Sequence, residues 1–531
     1  MKKALAVLLA LALFAPAAAL GDQGKIGAAE ASRAAARDPN VVKERGEHGA
    51  LTHSADIVDG NWEVAWFAGD KEVALVIVDP LTGLVRESWT GYQVAWKMAR
   101  GYSGAFGHKL NAPYVFLPLC AIFLLGLVDW RRLRRAANLD LLVLLAFGVS
   151  NFFFNRAEIG ISVPLQYVPL VYLFARALWI GLRGKGEGIR PAWPVAWLLI
   201  AALFLMGFRV GLNMADSGAI DVGYAGVVGA DRVAHGEPIY DNFPSDVSQG
   251  DTYGPVNYYA YVPFERIWPW SGTWNDLPAA HGAAVFFDLA TFALLIFLGR
   301  RIRPGPEGRK LAATLAFGWA AYPYTAFALL SNSNDTLVAM FLVATLLALA
   351  RPATRGAMAA LATFAKFAPA ALVPMLATQG PKKWRFILAF AVTTTAVMLW
   401  PAIDPGLHTF YERTIAYQAG RNSPFSIWGQ VPSLEPLRIA ILASVAALAL
   451  LLAFRPKEKN LTQVAALGAV LLIGVQLTMH HWFYLYIVWF YPLLLVAMAS
   501  LERETDTPPN GLYFFGNSPT ASHKLSTENV E

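Results

Sequence analysis

The chain has 531 residues, of which 56% are hydrophobic and 15% charged, against about 25% charged in an ordinary soluble domain. Repeated apolar runs of spanning length exclude a soluble globular protein and point to a polytopic membrane protein. The net charge of +6 lies in short basic loops between those runs, which is a topology signal and not a nucleic-acid footprint. The single cysteine, Cys120, excludes an intrachain disulfide or a cysteine-built metal site.

Residues 1–20, MKKALAVLLALALFAPAAAL, have a Lys2-Lys3 start, an apolar core and a small-residue end, the form of a signal peptide or an uncleaved anchor. Residues 21–111 hold no spanning run. An Ala-rich helical stretch from Ile26 to Glu47 precedes strand-like NWEVAWF and VALVIVDP. Turn signals at Asp79-Pro80 and Thr82-Gly83 lead into LVRESW. This predicts a small α+β extracytoplasmic domain. Its WEVAWF…VIVDPLTGLVRESW segment resembles the PepSY-type repeat, with paired strands and a "VD-x-x-TG" hairpin, which implies a regulatory module; a cap or spacer is the plainer reading.

From Pro113 the hydropathy predicts eleven spans, near 113–128, 139–154, 162–182, 193–212, 281–299, 312–330, 336–350, 385–402, 436–454, 461–478 and 482–499. The first ones, within 112–192, form an accessory set, and 193–500 a core with a large outer loop at 213–280. Basic clusters at Arg131–Arg135, Arg183/Lys185/Arg190, Arg300–Lys310, Arg351/Arg355 and Arg455/Lys457/Lys459 all fall on the cytoplasmic side of this count. Residues 356–378 resist it. They are long enough to span, yet both flanks are basic, and Lys366 and Pro369 interrupt the middle. A broken helix or a hairpin returning to the same side is predicted. The tail 501–531 is polar and predicted disordered and cytoplasmic.

The unusual polar residues collect in the loops predicted outside. Asp221 lies in small apolar surroundings and suits a general base, or caps its helix; Asp216, Asp231 and Glu237 compete for the role. Arg413 and Arg421 suit a phosphate, or snorkel to headgroups. His480 and His481 suit a base or a phosphate donor and make a poor metal signature; the aromatic run WFYLYIVWFY after them reads as an interfacial belt. Asn332, Asn334 and Asp335 form a polar turn between two spans. Lys366 is an ionisable residue inside an apolar segment, a functional candidate by default. In GDTYGPVNYYAYVPFE, residues 250–265, Pro255 and Pro263 bound a predicted short helix whose tyrosines suit the bilayer interface. No Walker loop, dinucleotide-binding glycine motif, HExxH, GxSxG or CxxC occurs in a fitting context.

Together these residues resemble the GT-C membrane glycosyltransferases, especially glycosyltransferase family 87. The ordered elements are Asp221-Val222-Gly223-Tyr224, Gly236-Glu237-Pro238-Ile239-Tyr240, Tyr253-Gly254-Pro255-Val256-Asn257-Tyr258 and Lys366-Phe367-Ala368-Pro369, across roughly residues 195–500. The single proline after Tyr253 and the Arg421-Asn422-Ser423-Pro424-Phe425 segment depart from the family pattern. The resemblance implies an all-α GT-C-like fold of about eleven spans plus a broken helix, and inverting transfer of a sugar, mannose by type, from a polyprenyl-phosphate donor to a lipid or glycan acceptor at the outer face of the plasma membrane. It implies Asp221 as base, with Tyr224, Tyr253, Tyr258, Lys366, Arg413, Arg421, His480 and His481 toward donor or phosphate, and neither metal nor cofactor. A lipid carrier or flippase without chemistry, and an envelope signalling or assembly protein acting through the N-terminal domain, are the competing readings.

Overall fold

The computed structural model describes residues 26–58, 60–100, 108–421 and 423–501. The signal or anchor reading of 1–20 and all but the first residue of the predicted tail lie outside the described residues. The chain divides into two units, Met1–Tyr102 with Asn155–Ala157, and Ser103–Phe154 with Glu158–Glu531.

The first unit is the predicted α+β fold. Helices α1 (Ala28–Ala35) and α2 (Pro39–His48) precede an antiparallel meander of β1 (Thr52–Val58), β2 (Asn61–Ala68), β3 (Lys71–Val78) and β4 (Val85–Thr90). Asp38 caps α2 by accepting from the Asn40 amide at 2.9 Å, and Pro39 at the first helical position loses no bond there. Alternation in β2 points Val64 and Trp66 to one face, where they join Ala74, Val76 and Val78 of β3 against Ala31, Ala35 and Val41. The β3–β4 turn is organised by Asp79. Its Oδ1 accepts from the amides of Leu81 at 2.8 Å and Thr82 at 3.0 Å, and its other oxygen pairs with Arg86.

The second unit is helical throughout. Its long elements are α3 (Pro113–Leu127), α4 (Ala136–Asn155), α5 (Ile159–Arg183), α6 (Val195–Ala215), α7 (Asp221–His235), α8 (Pro255–Ile267), α9 (Pro278–Ile302), α10 (Gly305–Ala321), α11 (Pro323–Leu330), α12 (Asp335–Leu347), α13 (Pro352–Ala365), α14 (Lys383–Pro401), α15 (Glu435–Phe454), α16 (Leu461–Leu477) and α17 (Ile487–Ser500). Among the described residues six helices are long and apolar enough to cross a membrane, and five shorter apolar helices accompany them. This is an all-α polytopic membrane architecture. The run predicted at 312–330 is two helices, because Pro323 has no N–H to continue α10. Helix α17 is buried along its whole length. It packs on α16, α12 and α10, so it is the centre of the bundle.

Two buried ion pairs join the spans. Arg209 of α6 pairs with Asp288 of α9, which also accepts from the Trp319 indole of α10 at 2.9 Å. Asp140 of α4 accepts from Arg176 at 2.9 Å and Tyr172 at 2.8 Å, both on α5. Unpaired charge at this depth is costly, so each carboxylate fixes its partner helix in rotation.

The segment 356–378 is a broken helix that turns back. Helix α13 stops at Ala365, Lys366 is extended (φ −146°, ψ 140°), and short helical turns at Ala368–Leu372 and Val373–Ala377 follow. Arg355, in the first turn of α13, donates to the carbonyls of Leu349 and, at 2.8 Å, Gln379. The start and end of the segment are therefore neighbours, and Lys366 is at its tip.

The tyrosine-rich stretch departs from expectation. Helix α8 runs through Pro263 to Ile267, and Tyr258 and Tyr261 are 0% exposed. They are core residues and not an interfacial belt. Losing one backbone bond at an internal proline costs about 3 kcal/mol, a cost comparable to what burying two aromatic side chains contributes.

Asp79 yields a pH prediction for the first unit. The two amides and Arg86 hold its carboxyl down at about 2. A depressed carboxyl contributes stability that is present above its unfolded value, near 4, and is lost as pH falls through about 2. Asp79→Asn removes the same interaction at neutral pH. Hydrogen exchange on the full chain should show faster exchange at Leu81, Thr82 and Leu84 in the variant than in the wild type, with the β2–β3 amides little changed.

Candidate functional site

The polar candidates of the second unit are gathered by two close backbone approaches. Gly223, in the first turn of α7, lies so near the Asn332 carbonyl that a Cβ would come within 2.1 Å of it. Gly254, the residue before α8, meets the carbonyl of Phe364 at the hairpin tip, where a Cβ would come within 2.0 Å. Any side chain would push these elements apart. The two contacts draw Asp221, Tyr253, the 331–335 turn and Lys366 together.

Lys366 is 7% exposed, and its Nζ reaches Asp335 Oδ1 at 2.5 Å. The same oxygen accepts from the Trp489 indole at 2.8 Å. The ammonium lies 5.3 Å from the Tyr253 ring centroid, 5.4 Å from Tyr486 and 5.1 Å from Trp489. This is a cation in an aromatic enclosure, each face within cation–π range. Asp335 Oδ2 has no partner.

Asp221 opens α7 at a position accessible to solvent, yet protein surrounds it on most sides. That enclosure raises its carboxyl above the usual carboxylate range; the Val222 amide, Arg421 and Lys366 pull the other way, and Asp335 adds to the rise. Arg421 is half-buried and its Nε has no hydrogen-bond partner. His481 is buried with Nδ1 2.9 Å from the Ser423 hydroxyl. Burial first, then the charges of Arg421 and Lys366, lower its imidazole well below the ordinary value, so it is neutral at physiological pH. A raised carboxylate, an orphaned guanidinium nitrogen and a neutral imidazole within electrostatic reach of one cationic pair of side chains can accept a proton and bind an oxyanion.

The structure brings together Asp221, Tyr253, Asp335, Lys366, Arg421 and His481 of the sequence candidates. Others face elsewhere. Arg413 is committed to Asp251, with bonds of 2.6 and 2.7 Å, and to the Ser248 carbonyl at 2.7 Å. Tyr258 donates to the Gly250 carbonyl at 2.8 Å. Tyr224 stacks on Trp274 and bonds Asp246 at 3.3 Å. His480 joins Glu435 at 3.0 Å, which also pairs with Arg438. Asn332 bonds Asn213 at 2.8 Å and Ser217 at 3.0 Å, and Asn334 bonds Asn257 at 2.5 Å; both brace the turn.

Tyr486 and Trp489 were not singled out from the sequence. The run WFYLYIVWFY is buried, apart from half-buried Tyr486, and walls Lys366 and Asp335, so the interfacial-belt reading is corrected. Trp and Tyr serve belts and cores alike. The usable signal was proximity to a costly residue: an apolar chain that buries a lysine must surround it.

No protein family and no curated protein matches the chain. Among solved structures, it is similar to ArnT from Cupriavidus metallidurans, in a crystal structure with undecaprenyl phosphate bound. The TM-score is 0.40 at 15% identity, over 57% of this chain and 59% of that one. The match thus spans less than two thirds of that protein's length.

The Lys366–Asp335 pair has a stability consequence. Lys366→Met leaves a buried carboxylate without its counter-charge, a loss of about 3–5 kcal/mol. The double variant Lys366→Met with Asp335→Asn removes both charges and should recover most of it. Thermal unfolding of the purified chain in detergent reads the non-additivity.

Proposed function

We propose that the chain is a membrane glycosyltransferase that moves a sugar from a polyprenyl-phosphate donor to an acceptor hydroxyl on a lipid or envelope glycan. Asp221 is the base. The observation that carries this reading is a carboxylate with raised proton affinity within electrostatic reach of a guanidinium with an unused nitrogen, gathered with Lys366 and Asp335 by the two glycine contacts.

The reaction balances with these groups alone. The acceptor oxygen attacks the anomeric carbon from the face opposite the phosphate, and its proton passes to Asp221. The bond between the anomeric carbon and the phosphate oxygen breaks, and the polyprenyl phosphate leaves with the bonding pair. Inversion follows from the single displacement. Arg421 stabilises the charge gathering on the leaving phosphate, and the neutral His481 side chain supplies a polar contact beside it. Lys366 has already paired with Asp335, so it holds the hairpin tip in place instead of serving as the main phosphate cation. Mannose is the donor sugar that the family 87 resemblance implies. On this reading the Asp221 site lies at the outer face and the basic loops lie in the cytoplasm; the first unit is a PepSY-like domain.

Purified protein given polyprenyl-phosphate mannose and, separately, polyprenyl-phosphate glucose, with membrane lipid extracts as acceptor, tests the proposal by sugar transfer. Asp221→Asn should lower transfer by roughly 10²–10⁴-fold with folding intact. Arg421→Gln should lower it by roughly 10²–10³-fold. Transfer needs the ionised carboxyl, so the acid limb of the rate profile should sit above the ordinary carboxylate range near 4, and activity falls as pH drops through it. Wild-type rates from Asp221→Asn would overturn the assignment of the base. No transfer from either donor by the wild type would overturn the reaction class.

A further inference from the structure

The end of the bundle away from Asp221 contains a cavity of about 260 Å³. Helix α12 fixes the geometry: Asp335 begins it, and Leu346 lines the cavity about 17 Å further on, at 1.5 Å per residue. Leu298, Leu346 and Leu461 supply an apolar floor, and Gln379, Lys459 and Arg301 supply polar groups around it.

Two of those polar groups are left incomplete by the protein. Lys459 is 3% exposed, and its Nζ donates to the Pro456 carbonyl at 2.7 Å. Among the described residues no carboxylate pairs with it. Glu458, although on the rim, is exposed and makes no ion pair with it. Gln379 is 4% exposed, and its amide nitrogen has no partner. A buried cation with one hydrogen bond and no counter-charge, and a buried amide donor with no partner, border one cavity. Such groups are costly unless something accepts from them. Burial and the nearby charge of Lys383 lower the Lys459 ammonium from its ordinary value, a cost that an anion beside it would reverse.

We propose that this cavity binds an anionic phospholipid, with the phosphate against Lys459, Gln379 and Arg301 and the first acyl carbons over Leu298, Leu346 and Leu461. The apolar floor favours a lipid over a free anion. The volume suits a phosphate with a few methylenes, leaving the rest of the chains in the bilayer. Basic pockets between spanning helices are a recurrent way of holding acidic headgroups. The inference stands apart from the glycosyltransferase reading, since none of these residues touches the Asp221 site.

The test is thermal unfolding of the purified full chain in detergent while dioleoyl phosphatidylglycerol, dioleoyl phosphatidylcholine or inorganic phosphate is titrated. Phosphatidylglycerol should raise the unfolding temperature saturably. Phosphatidylcholine, whose choline offsets the phosphate charge, should act only at higher concentration, and inorganic phosphate not at all. Lys459→Gln should weaken the phosphatidylglycerol midpoint by roughly tenfold, the loss of one charge-assisted bond. Arg301→Gln, at an exposed position, provides a variant whose folding is not in question and should also weaken it. Equal effects of the two lipids, the same shift from inorganic phosphate, or unchanged midpoints in both variants would each overturn the proposal.

Discussion

The membrane unit depends on one contact, the ion pair of Lys366 with Asp335. A helix that stops inside an apolar bundle exposes backbone donors and acceptors that lipid cannot satisfy. The chain can break at Lys366 only because protein surrounds the break, and the pair makes that burial specific. A well-packed apolar substitute would be as stable or more so. What the pair contributes is register: it sets the hairpin tip opposite the first residue of α12 and nowhere else along it. Tyr253, Tyr486 and Trp489 complete the enclosure, and they come from a loop and from two positions around the start of the central helix α17.

Geometry then propagates from that tip. With Lys366 fixed, the preceding carbonyl of Phe364 is fixed, and Gly254 can approach it only because it lacks a side chain. Gly223 repeats the arrangement against Asn332. Asn332 itself is held by Asn213 of α6 and by Ser217. Asp221, two residues before Gly223, thus inherits its position from helices distant in sequence. The buried pairs Arg209–Asp288 and Asp140–Arg176 do comparable work lower in the bundle, fixing rotation where apolar side chains would permit sliding.

Much of this was legible in the sequence for one reason: in an apolar chain a polar residue is expensive, so its presence is informative. Lys366 with Pro369 announced the broken helix, and the 331–335 turn and Asp221 stood out similarly. The β-hairpins of the first unit were readable from alternation and from Asp79 with its turn. Other features were not separable by spacing. Arg413 and Arg421 look alike on one segment, yet Asp251, which is 162 residues from Arg413 in sequence, takes up the first and leaves the second with an unpaired nitrogen. The tyrosines of 253–261 and the 482–491 aromatics were equally ambiguous, because amphipathic rings fit an interface and a core. Only tertiary packing tells the two apart.

Charge balance narrows the chemistry further. Lys366 and Asp335 cancel, and His481 is neutral, so the site is left with Asp221 against Arg421. On the proposed glycosyltransferase reading, a phosphodiester donor brings a further negative charge to the same residues. Arg421 must then serve two anions, and the donor's charge raises the proton affinity of Asp221 beyond what enclosure alone achieves. On the glycosyltransferase reading, donor binding therefore makes the carboxylate a stronger base at the moment an acceptor hydroxyl arrives. When the phosphate leaves with its second charge, Asp221 has just become neutral, and the guanidinium is released to the leaving group. On that reading the same two residues serve the ground state and the developing charge.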